Sequence, residues 1–538
     1  MPEVRLEIKP GIDTTLTEAT NRGGWSSSSR VRFREGRIER LRGREAISPN
    51  AVVPGVARSM HWWTDLGNKG RIAVGTSASL FLWDSNDKET DDVTPAGLTP
   101  GLVSSQFGNP FSLRIWSLDN FGQDLLAIPS GGTIYVWRPA VIEEPEAPAV
   151  PVTPPSADTI GTFDVPQHCQ GGFVTMPERI FVVYGTNWPP PNSVTGPGGP
   201  FTSTPPYPEV DPMLIRWSTQ DDYTVWNVRT DNFAGSYRIP RGSRIVGGIQ
   251  APLGAYIWTD IDCWTMTFQG QPYVFGFFQL ANNCGLIAQK AVVVAGSAPM
   301  WMSDHGFFTT TGQGVQQIPC TVWDYVFLDM DEDNQDKCFA ALDYHFNEVR
   351  WFFPSKSGGT GEIDSYAKYN FVDQIWDCGR IVRTAWVDQN RPGFPVSVGL
   401  DGILCQNALG LDDNGHPVVA FAQSGFQDLS DGQDMQFIEF FMPDMIWEGN
   451  GPDGQGPRAD ITLFFRRYPA EPATAIGPFT IGPRIRQVTL AQMDPSGSGI
   501  VQRPRGREWA IRIDWHYLDS WCRWGAPRLQ VSPDGRWS

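Results

Sequence analysis

Short apolar segments separated by turn residues recur along most of this chain, and this recurrence restricts the fold more than any other feature. Residues 71–84 read RIAVGTSASLFLWD and residues 124–138 read DLLAIPSGGTIYVWR, so each contains two strand-like runs about a Gly/Ser turn. Helical periodicity over three turns is hard to find, whereas apolar runs bounded by turn residues are typical of strands. The pattern predicts an all-β protein. Related segments occur at 215–226, 255–268, 299–310, 348–353 and 366–378.

Aromatic residues mark these segments at a loosely regular spacing, mostly about fifty residues. Propeller blades repeat at about 40–50 residues, and each blade is a small antiparallel sheet. We therefore predict a divergent β-propeller of about six blades, with a chain of β-sandwiches as the alternative. The landmarks are Trp83, Trp137, Trp217, Trp264, Phe307 and Trp376.

Changes in texture divide the chain into three parts. Residues 1–50 form an N-terminal arm with an arginine-rich hairpin, and residues 51–394 form the propeller-like domain. Residues 395–538 contain longer alternating strands, which predict an additional C-terminal domain of the β-sandwich type. Proline-rich insertions at 139–166 and 187–212 interrupt the propeller pattern, and such loops either contact neighbouring molecules or lie in solvent.

A basic island near the N-terminus stands out in an acidic chain. Residues 30–39 alternate polar and apolar side chains about a Glu-Gly turn, which predicts a β-hairpin with one charged face. Arginine is favoured at protein interfaces because its planar fork pairs with carboxylates. We predict a subunit interface with an acidic neighbour; a solvated face and a DNA contact are the alternatives. The candidate interface residues are Arg30, Arg32, Arg34, Arg37 and Arg40.

The formal net charge of −17 argues against tight DNA wrapping. Affinity for DNA comes largely from counterions that Lys and Arg release from the phosphates. An acidic wall around a DNA path would instead offer the phosphates few places to bind. DNA contact is therefore expected only as passage.

We expect no cofactor and no metal. The eight cysteines form no CxxC pair, so buried free thiols in a reducing cytoplasm are favoured over a zinc site. The acidic run at 329–336 (DMDEDNQD) lacks the glycine and glutamate of a calcium-binding EF-hand loop. The longest apolar stretches, 274–281 and 291–302, are too short to span a membrane, so we expect a soluble protein.

An enzyme is the main alternative, because propellers host polysaccharide-degrading enzymes that use paired carboxylates. Asp260, Asp262 and Asp304 are candidate acids, but acids beside aromatic residues are also common at strand ends. A carbohydrate-binding module that uses some of the 22 tryptophans is a further alternative. No catalytic motif is present, and we expect the protein not to be an enzyme.

Several segments resemble a known family, the tail hub or nozzle (packaged-DNA stabilisation) proteins of short-tailed bacteriophages. The N-terminal stretch GGWSSSSRVRFREGRIERLRG at 23–43 looks like the opening of such tail proteins, and WGAPRLQVSPDGR at 524–536 is similar to their end. The middle segments that carry the resemblance are CGLIA at 284–288, WMSDHGFF at 301–308, VQQIPCTVW at 315–323, HFNEVRWFFP at 345–354 and IDSYAKYNFVDQIW at 363–376.

This resemblance implies a structural virion protein, assembled in the host cytoplasm and located in the phage tail. It implies a homohexameric ring with a central channel that DNA traverses without tight specific binding. The ring would hold packaged DNA in and join the head-to-tail adaptor proteins to a tail fibre or tailspike. No catalytic residue comes with the resemblance.

Overall fold

A computed structural model describes residues 3–17, 20–21, 23–49, 51–99, 101, 113–139, 148–152, 165–189, 210–311, 314–388, 393–428, 434–469, 471–490 and 505–533. Strands dominate these ranges, as the turn-rich sequence predicts. Helical structure in the same ranges consists of α1 (Trp323–Phe327) and a 3₁₀ turn at Glu332–Lys337. The all-β prediction is confirmed.

Five short strands come first in the chain; β3 and β4 form a hairpin, and β1, β2, β4 and β5 each pair with a strand far away in sequence. They are β1 (Glu3–Arg5), β2 (Trp25–Ser29), β3 (Val31–Arg34), β4 (Arg37–Arg40) and β5 (Arg44–Ala46).

Seven four-stranded antiparallel sheets then follow within the described ranges. We call them blades 1–7 and their strands a to d in order. Blade 1 contains β6 (Ala57–Thr64), β7 (Gly70–Thr76), β8 (Leu80–Asp84) and β9 (Thr90–Asp92). Blade 2 contains β10 (Trp116–Phe121), β11 (Asp124–Pro129), β12 (Tyr135–Trp137) and β13 (Val150–Pro151). Blade 3 contains β14 (Gly171–Thr175), β15 (Ile180–Asn187), β16 (Val210–Trp217) and β17 (Gly235–Arg238).

The remaining blades use the same order. Blade 4 contains β18 (Ile245–Ala251), β19 (Gly254–Thr259), β20 (Asp262–Gly270) and β21 (Val274–Asn282). Blade 5 contains β22 (Val292–Ala295), β23 (Ala298–Met302), β24 (Phe307–Thr311) and β25 (Gly314–Ile318). Blade 6 contains β26 (Phe339–Asp343), β27 (Glu348–Pro354), β28 (Ile363–Asn370) and β29 (Ile375–Arg380). Blade 7 contains β30 (Ala385–Val387), β31 (Val396–Val398), β32 (Leu404–Asn407) and, as its d strand, β5.

The a strands contact one another in a closed ring. Each of β6, β10, β14, β18, β22, β26 and β30 contacts the next, and β30 contacts β6. The N-terminal strand β5 completes blade 7, with Ala46 opposite Cys405 and Arg44 opposite Asn407. Ring closure protects the edges that an open sheet would expose.

The predicted propeller is confirmed, but the predicted count of about six blades is one too low. The seventh blade has short strands, and its c strand, β32, reads LCQN and contains no aromatic residue. Its d strand comes from before blade 1, so no continuous segment of the chain carries the whole blade. The predicted domain boundary at 394/395 falls between β30 and β31 of this blade.

Adjacent blades pack through large aromatic side chains. Between blades 1 and 2, Trp63, Trp116 and Trp137 are buried in one core. The indole of Trp116 donates to the carbonyl of Thr76 at 2.8 Å. A Cβ atom on Gly75 would lie 2.4 Å from this indole, so a glycine is needed where the two blades approach.

A second β-rich unit follows the propeller and includes the N-terminal strands β1–β4. Its three sheets have the orders β1-β43-β35-β39 with β40 on β35, β2-β33-β41-β37-β38 with β34 on β41, and β3-β4-β42-β36. The C-terminal strands are β33 (Ala420–Ser424), β34 (Gln427–Asp428), β35 (Gln436–Met442), β36 (Met445–Glu448), β37 (Ala459–Arg466), β38 (Thr474–Ile481), β39 (Val488–Thr489), β40 (Arg505–Gly506), β41 (Glu508–Trp515), β42 (Trp521–Trp524) and β43 (Arg528–Pro533).

One hydrophobic core joins this unit to blades 4–6. It contains Trp25 of β2, Trp301 of β23, Trp351 of β27 and Trp515 of β41, each at most 2% exposed. Strand β2 also lies against β29, the d strand of blade 6, where the Ser28 hydroxyl donates to the Cys378 carbonyl at 2.9 Å. The C-terminal unit is therefore packed against the outer side of blade 6. Among the described residues, no helix is long and apolar enough to cross a membrane.

Candidate functional site

The arginine-rich segment forms the predicted hairpin. Strands β3 and β4 pair with Phe33 opposite Ile38 and Arg34 opposite Arg37. Glu35 and Gly36 at the turn have φ values of 53° and 74°. Positive φ at both central residues matches the right-handed twist of a two-residue hairpin, and this explains the Glu-Gly sequence. The hairpin prediction is confirmed.

The five candidate interface arginines divide by burial. Arg32 and Arg40 are 2% and 1% exposed, so both lie inside the chain. Arg30 is half-buried and pairs with Asp413 at 3.3 Å. Arg34 and Arg37, at the tip of the hairpin, are exposed. The acidic partners of Arg30 and Arg32 belong to this same chain, and only the hairpin tip presents candidate arginines fully to the surface.

Arg32 reaches from the hairpin into blade 6. Its Nε and Nη2 atoms donate to the two carboxylate oxygens of Glu348 at 2.7 and 2.9 Å, and Nη2 also donates to Asp343 at 3.2 Å. Its guanidinium carbon lies 3.2 Å from the ring centroid of Phe346. Bidentate pairing of this kind is stronger and more directional than a single charged contact. It fixes the hairpin to the a–b end of blade 6.

Three cations and three carboxylates make up a buried ion cluster around this contact. Arg350 donates to Glu348 at 3.0 Å, and Lys368 donates to the same carboxylate at 3.1 Å. Lys368 also lies 3.1 Å from Asp377 and donates to the carbonyl of Val31 in β3 at 2.9 Å. The cluster is balanced in formal charge, as burial of so many ions requires. Its members are Arg32, Asp343, Glu348, Arg350, Lys368 and Asp377, each buried.

The cluster shifts the pKa values of its carboxyl groups in opposite directions. Burial raises the pKa of Asp377 to about 6, although Lys368 opposes this shift. Burial would also raise the pKa of Glu348, but Arg32, Lys368 and Arg350 outweigh it and hold that pKa well below its usual range. Glu348 is therefore the anchoring anion of the cluster, whereas the pKa of Asp377 is raised towards neutrality.

Beside this cluster lies an arginine pocket that is partly open to solvent. It lies where the hairpin, blade 6 and blade 7 meet. Two aspartates, Asp343 and Asp413, also line it. The arginines of its wall are Arg30, Arg32, Arg42, Arg44, Arg350 and Arg383.

Asp413 is shared by three of these arginines. Arg44 donates to it, Arg30 lies 3.3 Å from it and Arg383 lies 3.7 Å from it. Arg44 also pairs with Asp401 at 2.7 Å. Burial lowers the pKa of Arg383 to about 9, and the neighbouring charge of Arg44 adds to this effect. Arg383 is thus a buried cation whose nearest carboxylate is distant and already engaged.

Several residues of this site could not be predicted from the basic segment near the N-terminus. Glu348, Arg350 and Lys368 lie more than 300 positions from Arg32 in the chain. One signal was available: each charge lies within a run of aromatic or aliphatic strand residues, and a charge on a buried strand needs a buried partner. Arg383 lies outside any strand pattern and has no comparable signal.

The candidate acids of the enzyme alternative occupy two blades. Asp260 and Asp262 lie at the b–c turn of blade 4, where Asp260 accepts from Ser243 and Asp262 lies 3.1 Å from Arg241. Burial raises the pKa of Asp262. Asp304, at the b–c turn of blade 5, is 77% exposed in its side chain and pairs with His305. Burial would raise its pKa, but hydrogen bonds from His305 and Ser303 lower it, whereas a glycosidase acid needs a raised pKa.

The cysteines and the acidic loop behave as simple structural groups. All eight cysteines are free thiols, seven of them are buried, and Cys320 is half-buried, so the predicted burial of the thiols agrees with the structure. Asp331 caps the 3₁₀ turn by accepting from the backbone of Asp333. The described ranges contain no group of three or more His, Cys, Asp or Glu side chains placed to hold a metal.

Most of the two proline-rich insertions, 140–147, 153–164 and 190–209, lies outside the described residues.

No family model matches the chain, and no curated protein matches it. Solved structures similar to it are β-propellers. The β-propeller domain of Cps50 (Swd1) from Myceliophteria thermophila is 9% identical, with a TM-score of 0.38, and the match covers 68% of this chain and 99% of that one. YCF48 from Cyanidioschyzon merolae is 8% identical, with a TM-score of 0.38, and the match covers 68% of this chain and 98% of that one. The propeller assignment stands on the closed ring of blades, and these similarities say nothing about function.

Proposed function

We propose that this protein is a structural subunit of a short-tailed phage tail, not an enzyme, and that it forms a homohexameric hub or nozzle ring. The ring channels and retains packaged DNA and joins the adaptor side of the tail to a fibre or tailspike. Its place is the virion tail.

The main support for this proposal is the position, in the fold, of the segments that resemble the phage tail hub proteins. These segments are spread from residue 23 to residue 536. Many of their buried members nevertheless belong to one hydrophobic core, including Trp25 of the hairpin region, Trp301 and Trp351 of blades 5 and 6, and Trp524 of β42. A resemblance made of packing residues has most meaning when those residues pack together.

The distribution of exposed apolar side chains also favours a subunit of an assembly. In blades 1, 3, 4 and 6 the antiparallel strand order puts the a–b and c–d turns at the same end of the blade, and the ring of a strands brings these ends to one face of the propeller. Five large apolar side chains on these turns are more than half exposed. They are Leu66, Met176, Leu253, Tyr273 and Val372, on blades 1, 3, 4 and 6. These turns are therefore the candidate contact points on this face of the propeller.

The charge fits passage of DNA along the ring. Six copies at −17 each place a large negative charge around a channel, so phosphates meet few cations to hold them. The buried arginines sharpen this argument, since Arg32 and Arg40 are enclosed by the protein and do not face a DNA path. Weak interaction with the wall is what a conduit requires.

Images and light scattering of the concentrated protein test the ring directly, with and without the adaptor proteins. We expect particles of six-fold symmetry and six times the chain mass. A protein that remains monomeric under all of these conditions would refute the ring. Turnover of a polysaccharide by the monomer, lost in Asp304→Asn, would support the enzyme alternative instead.

Variants at the apolar turns test which face makes contacts. Leu253→Asp and Tyr273→Asp alter neighbouring turns of blade 4, and we expect both to reduce assembly. Leu328→Asp is the matched control, because Leu328 is 64% exposed but follows α1, in the d–a connection at the opposite face. Rings that persist in both blade 4 variants would show that this face is not part of the contact.

A further inference from the structure

The arginine pocket has more positive than negative charge in its wall, six arginines against two aspartates. Other carboxylates nearby are already engaged: Glu348 with Arg32, Arg350 and Lys368, Asp401 with Arg44, and Glu448 with Arg42. Arg44, Arg30 and Arg383 must share Asp413. Arg32 and Arg350 are balanced within the buried ion cluster. The other four arginines share three carboxylates, Asp401, Asp413 and Glu448, so the wall keeps one positive charge in excess.

Three guanidinium nitrogens in this wall have no acceptor among the described residues. They are Nε of Arg383, Nε of Arg350 and Nη1 of Arg44. The side chains of Arg383 and Arg350 are only 6% and 8% exposed, so water reaches them poorly. A buried charged donor without a partner costs about 1–3 kcal/mol or more, and proteins rarely leave several such donors together.

We propose that the arginine pocket is a binding site for a small oxyanion of the phosphate class. A tetrahedral oxyanion offers several acceptor oxygens and a negative charge, and guanidinium forks match this geometry. A water molecule could accept hydrogen bonds but would leave the excess of positive charge uncompensated. Arg383, Arg350 and Arg44 line the pocket and carry the unpaired donors, and the other arginines add to its positive field.

The bound oxyanion would act as a joint between parts of the fold. Arg44 begins β5, the strand that completes the propeller, Arg350 lies in blade 6, and Arg383 lies between blades 6 and 7. Arg30 and Arg32 belong to the hairpin side of the pocket. An anion among them ties the closure strand to both blades. This inference does not depend on the ring proposed above and can hold for a monomer.

Isothermal titration with inorganic phosphate, against sodium chloride of equal ionic strength, tests the site in the full chain. We expect saturable binding of about one phosphate per chain and a melting temperature that rises with phosphate concentration, since a ligand of the native state stabilises it. A short oligothymidylate forms a second arm. If it displaces phosphate, the oxyanion comes from a nucleic acid backbone; if it does not, the ligand is a free anion.

Arg383→Met should weaken phosphate binding by roughly 10- to 100-fold, as loss of a charged hydrogen-bond donor predicts. Arg42→Met is a second variant at the pocket mouth, where the side chain is 33% exposed and folding is less at risk; we expect a smaller loss. The matched control is Arg238→Met in blade 3, an exposed arginine that pairs with Asp211. Absence of phosphate binding to the wild-type protein would overturn the proposal, and so would equal binding by Arg383→Met and Arg238→Met.

Discussion

Replacement of Arg32 by methionine removes a hairpin cation from the buried ion cluster. The wild-type side chain donates three hydrogen bonds, two to Glu348 and one to Asp343. Without it, three carboxylates share two cations in a site where Glu348 is only 2% exposed. Removal of one partner from a buried ion pair costs about 3–5 kcal/mol, because the remaining charge is uncompensated. Methionine fills much of the space of the arginine stem, so lost packing adds little.

We therefore expect Arg32→Met to lower the free energy of unfolding by about 3–5 kcal/mol. Denaturant unfolding followed by tryptophan fluorescence measures this change. Arg34→Met is the matched control, since Arg34 lies on the same strand but is exposed, and it should change stability by less than about 0.5 kcal/mol.

A double variant separates charge balance from other effects of the substitution. Adding Glu348→Gln to Arg32→Met leaves two cations and two carboxylates in the cluster. We expect the double variant to be more stable than the sum of the single losses predicts, with a coupling of about 0.5–3 kcal/mol. Equal losses in Arg32→Met and Arg34→Met would refute the reasoning, and so would strictly additive losses in the double variant.

Three further predictions concern stability. The pKa of Asp377 is about 6 in the folded state, against an ordinary value of 3.8. Between these two pH values the native state binds a proton that the unfolded state has lost. The contribution of Asp377 to the free energy of unfolding therefore falls as the pH rises from 4 to 6. The free energy of unfolding of Asp377→Asn, relative to that of the wild type, should rise by about 3 kcal/mol between pH 4 and pH 7. A difference between the two proteins that stays the same at both pH values would contradict this prediction. Gly43→Ala should cost about 1–3 kcal/mol or more and expose β5 to proteolysis, because its Cβ would lie 1.9 Å from the Asp412 carbonyl oxygen; a stability equal to that of the wild type would contradict the close approach. In Gly36→Ala the new Cβ would meet no atom within 4 Å, but the residue would keep a φ of 74°. Thermal unfolding should therefore show a smaller loss of stability, about 1–2 kcal/mol. A loss of stability larger than that of Gly43→Ala would contradict this explanation.

The aromatic landmarks identified the propeller because most of them belong to the same strand of successive blades. Trp83, Trp137, Trp217, Trp264 and Phe307 lie in the c strands β8, β12, β16, β20 and β24. A c strand has a neighbour on both sides and packs against the adjoining blades, which favours large apolar residues. Trp376 lies in a d strand, after α1 and the 3₁₀ turn, and this explains the long last step.

The seventh blade could not be found in this way. Its strands contain three or four residues each, and the pairing of Ala46 with Cys405 joins residues that are far apart in sequence. Local patterns describe local pairing and give no signal for such a closure. The same limit applies to the C-terminal unit, whose long strands were visible in the sequence while their pairing with β1, β2 and β4 was not.

At the candidate site, local chemistry was predictable and long-range partners were not. The Glu-Gly turn fixed the hairpin, since its two positive φ values follow from the turn type. The charged face then needed carboxylates, and the sequence could not decide between this chain and a neighbour. Lys368 within YAKYN was the overlooked signal, because an ion inside an aromatic strand requires a buried counterion.

The pairing of the first strands with the last ones sets the order in which the protein can fold. Glu3 pairs with Gln530, Trp25 with Ser424 and Ala46 with Cys405, so each earlier segment waits for a partner that is synthesised much later. Such non-local pairing slows folding and leaves strand edges open to aggregation in the interval. A nascent chain that stops short of these residues keeps blade 7 incomplete and the N-terminal strands unpaired. Blade 7 and the C-terminal unit thus form only when strands on both sides of these pairings are present together.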